Sequence, residues 1–359
     1  MRVLDQKETI EAIDQHGMRT LIYEFSNQLK AAEVIGRNFE CEFDRKIERI
    51  VFSGVGGSGI SGDFIRSYLS QDCPITISIN RSYHLPGFVD DSTLVILSSY
   101  SGNTEECLCA FDEAFVRKAK LLVITSGGEL EERAKMRGSP LIKLPGGLPP
   151  RTALGYLIIP ILCVLAKLGF VNQGKLKEIQ EAYELIDILS KNQYGTEIPI
   201  EKNKAKQIAF QCYKKIPAVY AGIDHFDVVA LRWRSQFEEN SKVLSFHNVF
   251  PEMNHNELEG WCSQAHSLRK NLIMILLRDQ DDHASIQARM NLTRDLIRKE
   301  GVDVLEVFSE GKGLLARMLA TVHLGDWVSL YLALLYQVDP TPIHSINYLK
   351  QELKKGTIR

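Results

Sequence analysis

The sequence lacks an excess of charge of either sign. Its 359 residues carry 43 Lys and Arg against 45 Asp and Glu, which leaves a formal net charge of −2. A balance of this kind argues against nucleic acid or an acidic membrane surface as the main partner. Any bound anion must therefore be held by local geometry rather than by a general positive field.

Cysteines are few, and their spacing matches no familiar pattern. The seven are odd in number and scattered, and the closest two, Cys107 and Cys109, form neither a redox CxxC motif nor a zinc knuckle. Reduced thiols are the simpler interpretation, which predicts a cytoplasmic protein. The N-terminal stretch has early acidic residues and no apolar core, so no signal peptide is predicted.

Long uninterrupted hydrophobic runs are also missing. Residues 153–165 form a short apolar stretch that contains Pro160, and residues 314–336 form a longer one that contains Arg317, His323 and Asp326. Neither reaches the roughly 20 consecutive apolar residues that a membrane span requires. We expect both to be buried helices, in a core or in a subunit interface, and we predict no membrane partner.

The hydrophobic pattern predicts an α/β protein in two halves. Short apolar runs that read as strands alternate with helical stretches, which favours parallel sheets covered by helices. A polar, proline-containing stretch at 191–199 separates the halves. The predicted organisation is an N-terminal helical segment (1–40), a first domain with a helical connector (41–190) and a second domain (200–359). The predicted strands are 50–52, 75–79, 94–97, 121–124, 141–144, 218–221, 243–246, 272–277 and 304–308.

A glycine-rich segment, GVGGSGISG (54–62), follows the first predicted strand and opens a helix. Glycines let a ligand approach the backbone, and a helix N-terminus favours anions. The segment satisfies the GxGxxG spacing of dinucleotide-binding proteins. However, Asn80 and Arg81 stand where that fold places an acidic ribose ligand, and the lysine of a P-loop is absent. We therefore predict no nucleotide cofactor.

A second segment, SSYSGNT (98–104), lies between a predicted strand and the helix that begins EE. Its hydroxyl groups on Ser99, Ser101 and Thr104 can donate to phosphate oxygens beside backbone amides. The alternative is that Thr104 only caps the helix, which Ser and Thr often do. Capping explains one hydroxyl and leaves the cluster unexplained, so we favour a phosphate site.

The segments GGSGISGD and SSYSGNTEE resemble the two signature loops of a sugar isomerase (SIS) domain. Over almost the whole chain, the pattern is similar to that of the bifunctional phosphoglucose/phosphomannose isomerases. The resemblance implies two flavodoxin-like SIS domains and a metal-independent, cofactor-free conversion of glucose 6-phosphate, and of mannose 6-phosphate, to fructose 6-phosphate. It also implies a set of phosphate ligands: Gly57, Ser58, Ser99, Ser101 and Thr104.

Aldose–ketose isomerisation needs a base to move a proton between C2 and C1 and a group that opens the sugar ring. By resemblance, Glu239 is the base and His255, in NHNE, is the ring-opening acid/base. Glu238 competes for the base role, and both carboxylates could instead form a solvated helix end. His255 and Glu257 form an HxE pair, but two ligands without a third do not make a zinc centre.

Three further residues are assigned by resemblance alone. Arg151, after a PPR turn, matches the arginine that faces the enediolate, with a surface salt bridge as the alternative. Lys350 and Thr341 match C-terminal active-site residues of the family. A shift of one helical turn would replace Lys350 by Lys354 or Lys355.

The resemblance further implies a homodimer in which each active site borrows His255 from the neighbouring subunit. Two other functions remain open. An aminotransferase-like isomerase also uses paired SIS domains, but it should carry an N-terminal glutaminase, which is absent from this sequence. A sugar-phosphate sensor without catalysis should carry a DNA-binding motif, for which the first forty residues are too short and too acidic.

Overall fold

Two parallel sheets organise the chain. The computed structural model describes residues 2–43, 46–262 and 269–356. The strands of the first sheet are β1 (Arg49–Ser53), β2 (Thr76–Asn80), β3 (Thr93–Ser98), β4 (Lys120–Thr125) and β5 (Leu141–Lys143). Their order is β2-β1-β3-β4-β5, and all the pairings are parallel.

The second sheet repeats this plan with four strands. They are β6 (Ile216–Gly222), β7 (Phe246–Phe250), β8 (Leu272–Arg278) and β9 (Asp303–Phe308). The order β7-β6-β8-β9 is again parallel and matches the first sheet without its fifth strand. The predicted α/β class with two related halves is therefore confirmed.

Helices cover both sheets and fill the space between them. In the described residues they are α1 (Lys7–Ile13), α2 (Met18–Tyr23), α3 (Phe25–Asn38), α4 (Gly56–Tyr68), α5 (Glu105–Val116), α6 (Gly128–Arg137), α7 (Leu154–Lys167), α8 (Lys177–Leu189), α9 (Lys204–Cys212), α10 (Asp227–Glu239), α11 (Glu257–Cys262), α12 (Ala284–Lys299), α13 (Leu314–Leu335) and α14 (His344–Lys354). Helix α3 packs on α7 and α8, while α13 packs on α8, α9 and α10. The largest hydrophobic cluster runs through these helices from one sheet to the other.

The two long apolar stretches are core helices. All but two residues of α7 and nearly all of α13 are buried inside the chain. Helix α13 is long and apolar enough to cross a membrane by length and composition alone, but 94% of its most apolar window is buried in the protein. The sequence left a core or a subunit interface open for both stretches, and the structure places both in the core.

Helix α3 approaches α7 closely at one point. A Cβ atom at Gly36 would lie 2.7 Å from the Cα of Pro160. Nearby, the Gln28 side chain accepts from the amide of Gly155 at 2.8 Å and donates to the carbonyl of Thr152 at 2.7 Å. The N-terminal helical segment thus fixes the start of α7, next to Arg151.

Two element boundaries differ from the sequence prediction. The hydrophobic pattern predicts the helix after the first strand at residues 62–69, whereas α4 begins at Gly56. Glycine has low helix propensity, so the sequence of the first turns does not look helical. Strand β7 begins at Phe246 rather than at residue 243. Lys242, at a φ of +59°, turns the chain after α10 and delays the strand.

Candidate active site

Both predicted phosphate loops lie at one point of the first sheet. Strand β1 pairs with β2 on one side and with β3 on the other, so the chain leaves β1 and β3 in opposite directions. In open α/β sheets, ligands bind at the carboxyl ends of the strands at such a switch point. The first loop, together with the start of α4 (residues 54–58), follows β1, and the second loop (residues 99–104) follows β3, which brings the two segments together.

The two loops contact each other directly. The amide of Tyr100 donates to Ser58 Oγ at 3.1 Å. A Cβ atom at Gly54 would lie 2.7 Å from the carbonyl oxygen of Ser98, so only glycine allows this approach. Ser58 is buried at the first turn of α4, where unpaired amides favour an anion.

The hydroxyl cluster of the second loop is also present. Ser99 Oγ and Thr104 Oγ1 are 2.9 Å apart, and the amide of Gly102 donates to Ser99 Oγ at 3.1 Å. Thr104 stands at the N-cap position of α5, yet among the described residues its hydroxyl bonds Ser99 rather than a helix amide. Capping alone therefore does not explain Thr104. Ser101 is exposed, and its hydroxyl accepts from the Asn103 amide at 3.3 Å.

Arg151 is buried beside the first loop, with only 3% of the residue exposed. It lies in a short 3-10 turn (Pro150–Thr152) between β5 and α7. A Cβ atom at Gly57 would lie 3.2 Å from the Pro150 carbonyl oxygen and 3.4 Å from the Arg151 Cα. Burial lowers the pKa of the Arg151 guanidinium, and the charge of Glu239 opposes that shift. A surface salt bridge is thus the wrong description of this arginine.

Glu239 is the last residue of α10 and faces Arg151. Its Oε2 lies 3.5 Å from Arg151 Nη1, and its side chain is 27% exposed. Glu238 points to a different partner, since its Oε2 lies 3.3 Å from Arg234 Nε. Burial raises the pKa of Glu238, and the charge of Arg234 opposes the shift. The geometry therefore brings Glu239, rather than its neighbour, to the arginine.

The segment 339–341, before α14, contacts Arg151 through its Nη2 atom. Arg151 Nη2 donates to the carbonyl oxygens of Pro340 at 2.9 Å and Thr341 at 2.8 Å. The Thr341 amide donates to Asp339 Oδ1 at 3.0 Å. The Thr341 hydroxyl is buried and has no hydrogen-bond partner among the described residues. Thr341 therefore lies in the Arg151 cluster.

Sequence reasoning gave no role to Lys242. Its Nζ donates to the carbonyl oxygen of Glu239 at 2.5 Å and to that of Pro340 at 3.1 Å. Desolvation by the surrounding protein lowers the pKa of Lys242 to about 8, and the charge of Arg151 acts in the same direction. The only signal in the sequence was its position three residues after Glu239.

His255 stands apart from this cluster. It ends a 3-10 turn (Glu252–His255) after β7, and the residue is exposed. Within the described part of the chain, none of its contacts joins it to Arg151 or Glu239. Glu257 has another task, since its carboxylate accepts from Tyr220 Oη and, at 2.7 Å, from Asn248 Nδ2. Both carboxylate oxygens of Glu257 therefore have hydrogen-bond partners within the protein.

Lys350 also stands apart, on the exposed helix α14. Lys355 is exposed and its Nζ lies 2.7 Å from Glu352 Oε1, while the side chain of Lys354 lies outside the described part of the chain. One chain therefore brings together the phosphate loops, Arg151, Glu239 and Thr341. It leaves His255 and Lys350 on its surface.

Groups of three or more His, Cys, Asp and Glu side chains that could hold a metal ion do not occur within residues 2–43, 46–262 and 269–356. A cation beside a carboxylate, next to hydroxyl-rich loops at a helix N-terminus, can bind a phosphate ester and stabilise a negatively charged oxygen during proton transfer.

Known proteins share this arrangement of elements. The C-terminal domain of glucosamine-fructose-6-phosphate aminotransferase from Francisella tularensis superposes with a TM-score of 0.70 at 16% identity, covering 90% of this chain and 98% of that one. This likeness concerns the fold alone. It confirms the predicted pair of SIS-type domains.

Sequence comparison is more specific. Residues 201–353 match the family model described as the bacterial phospho-glucose isomerase C-terminal SIS domain. The chain is 42% identical over 333 residues to a bifunctional phosphoglucose/phosphomannose isomerase of Caldicellulosiruptor bescii, covering 92% of this chain and 97% of that protein. A protein of the same name from Aquifex aeolicus is 39% identical, over 85% of this chain and 90% of its own length. With both halves of the fold and nearly the full length matched, this chain belongs to the bifunctional phosphoglucose/phosphomannose isomerase family.

Proposed function

We propose that this protein converts glucose 6-phosphate and mannose 6-phosphate reversibly to fructose 6-phosphate through a cis-enediol. The observation that carries the proposal is the approach of Arg151 Nη1 to Glu239 Oε2, 3.5 Å apart, beside the hydroxyl-rich loops. It supplies a base and a cation next to a site suited to phosphate. The chain's relatives bear the name of this reaction.

In this proposal the phosphate binds between the two loops. The amides at the start of α4, with Gly57 and Ser58, face it from one side, and the hydroxyls of Ser99, Ser101 and Thr104 face it from the other. Phosphate binding fixes the far end of the sugar. The reacting carbons are then held near Glu239, and positioning of this kind supplies much of the catalytic effect.

Proton transfer is assigned to Glu239. The carboxylate removes the C2 proton of the open-chain aldose and returns a proton to C1, while negative charge develops on the enediolate oxygens. Arg151 stabilises that charge, because a buried cation interacts more strongly with a developing anion than an exposed one does. His255 opens the ring, and Lys350 and Thr341 complete the site.

Both epimers at C2 can share this mechanism. Return of the proton to one face of the enediol gives glucose 6-phosphate, and return to the other face gives mannose 6-phosphate. The pocket must then accept either orientation at C2. Thr341 is a small residue beside Arg151, and its buried hydroxyl has no hydrogen-bond partner within the described residues. A small residue at this position leaves room for both orientations at C2.

We infer that the active protein is a homodimer. His255 is exposed, and no contact within the described residues links it to the Arg151 cluster, so we assign it to the active site of a second subunit. Helix α14 exposes Ile346, Leu349 and Leu353, which recur along one face and need a covering surface. The cysteines in the described chain are all free thiols, which fits a reducing compartment and therefore the cytoplasm.

The test is a coupled assay of the purified protein with chelator present. We expect turnover of both glucose 6-phosphate and mannose 6-phosphate, with fructose 6-phosphate as the common product. Turnover of one epimer alone would narrow the proposal to that epimer. Binding of either sugar phosphate without turnover would replace it with a sensor.

A further inference from the structure

The interface between α10 and α13 is polar where it reaches the proposed active site. Arg232, Gln236 and Asn240 recur every four residues along α10 and its C-terminus, so they share one face. At most 2% of each residue is exposed. Buried polar groups are costly unless they are satisfied, which makes their partners informative.

Two residues of α13 supply the partners. Asp326 accepts from Arg232 Nη2 at 3.1 and 3.0 Å and from Gln236 Nε2 at 2.7 Å. Ser329 Oγ accepts from Asn240 Nδ2 at 3.0 Å and donates to the Asp326 carbonyl oxygen at 2.8 Å. The stripe on α10 is thus tied to α13 along its length.

Both ends of this network hold Arg151. Arg232 Nη2 donates to the Arg151 carbonyl oxygen at 2.8 Å, which fixes the backbone. Asn240 Oδ1 accepts from Arg151 Nε at 2.6 Å, which fixes the plane of the guanidinium. Once Nε is held, Nη1 points to Glu239 and Nη2 to the Pro340 and Thr341 carbonyl oxygens.

We infer that Asn240 is a positioning residue, which aims the Arg151 guanidinium at the reacting oxygens through its hydrogen bond to Nε. The inference rests on the proposed function. An amide suits this position because it accepts a hydrogen bond from the arginine without neutralising its charge. A carboxylate would hold the arginine equally well, but it would place a second negative charge beside Glu239.

Three variants test the inference. Asn240→Leu removes the acceptor at similar volume, and we expect kcat to fall about 10–100-fold, with KM changed less, because a misaimed cation loses transition-state contact. Asn240→Asp keeps the acceptor. Its kcat should stay within about threefold of wild type, because the carboxylate still accepts a hydrogen bond from Arg151 Nε.

Ser241→Ala is the matched control. Ser241 is buried next to Asn240 and donates to the Ser329 carbonyl oxygen at 2.7 Å without touching Arg151. We expect its stability to fall and its kcat to stay within about twofold of wild type. An equal loss of kcat in Ser241→Ala and Asn240→Leu would mean general loosening of the helix interface, and it would overturn the inference.

A double-mutant cycle with Arg151→Lys further separates positioning of the arginine from general loosening of the helix interface, because lysine offers no Nε–H to Asn240. Asn240→Leu should then cause no additional loss of kcat. Losses that multiply instead would contradict the inference.

A readout independent of activity is the NMR signal of the Arg151 Nε–H group, identified by its loss in Arg151→Lys. It should be protected from exchange in wild type and Asn240→Asp, and exchange-broadened in Asn240→Leu. Equal protection in all three would overturn the inference even if Asn240→Leu proved too unstable for kinetics. Absence of wild-type turnover with the protection pattern intact would contradict the proposed function alone.

Discussion

Arg151 Nη1 lies 3.5 Å from Glu239 Oε2, and these two residues come from different halves of the chain. Arg151 follows the last strand of the first sheet, while Glu239 ends α10, the helix that follows β6 of the second sheet. The arginine is buried and the carboxylate is partly exposed, so the cation is fixed and the base can reach a ligand. The proposed active site therefore forms where elements of the two halves of the chain meet.

The close approach at Gly57 predicts a defect in Gly57→Ala. The new methyl group would lie 3.2 Å from the Pro150 carbonyl oxygen and push the Arg151 turn away from the phosphate loop. We expect KM for the sugar phosphate to rise about tenfold and kcat to fall, since small displacements at a site are costly. Gly87→Ala is the control, because nothing lies within 4 Å of its Cβ position. Equal kinetics for the two variants would count against this placement of the loop.

A shared active site predicts complementation between inactive variants. Glu239→Gln and His255→Ala should each be nearly inactive alone. If subunits exchange at random, half of the dimers contain one of each, and one of their two sites has both native residues. The mixture should recover roughly a quarter of wild-type activity by this symmetry. A mixture that stays inactive after proven subunit exchange would place His255 and Glu239 in the same subunit's site.

The C-terminal lysine can be identified by paired substitutions. We expect Lys350→Met to lower kcat by roughly 100-fold if its ammonium group faces the reacting oxygens. Lys355→Met should leave kcat unchanged, since Lys355 pairs with Glu352 on the exposed helix. The reverse result would show that the match to the family slips along α14.

His323 predicts a distinct acid sensitivity. Its Nε2 accepts from the Trp327 indole at 3.0 Å and lies 2.6 Å from Ser190 Oγ, and burial lowers its pKa to about 3. Below about pH 6.5 this histidine is protonated in the unfolded chain but stays neutral in the folded one. The free energy of unfolding therefore falls as the pH drops towards 3. Between pH 7 and 4.5, we expect His323→Gln to lose about 2–3 kcal/mol less of its unfolding free energy than wild type.

Urea denaturation at the two pH values checks this difference. Asp282→Asn serves as the control of opposite sign, since burial raises the Asp282 pKa to about 6. The folded protein then gains a proton before the unfolded chain does, and wild type gains stability from this group between about pH 6 and 4. The Asn variant should accordingly lose stability more steeply on acidification. Identical pH dependence in wild type and His323→Gln would contradict the neutral buried histidine.

Much of the fold could be predicted because local patterns determine it. Apolar runs such as 94–97 and 121–124 mark fully buried parallel strands, and both were found with slightly wider bounds. The start of α4 could not be predicted, because Gly62 is needed for packing. A Cβ atom there would lie 2.4 Å from Phe52 Cδ1, and such glycines obscure the helix in the sequence.

The site was only partly accessible to sequence reasoning. The loops and Glu239 lie in recognisable segments, but their meeting with Arg151 depends on packing between remote helices. Nothing in the sequence marks Asn240, because its contact to Arg151 depends on how α10 packs on α13. The places of His255 and Lys350 cannot be read from one chain, because both lie on its surface.

The most direct test follows the proton that Glu239 is proposed to move. Fructose 6-phosphate is incubated in deuterium oxide with wild type, Glu239→Gln or Glu238→Gln, and deuterium at C2 of the aldose phosphates is measured by NMR. We predict deuterated glucose 6-phosphate and mannose 6-phosphate with wild type and Glu238→Gln, and a rate at least about 1000-fold lower with Glu239→Gln. Exchange at the wild-type rate in Glu239→Gln, or its loss only in Glu238→Gln, would contradict the account.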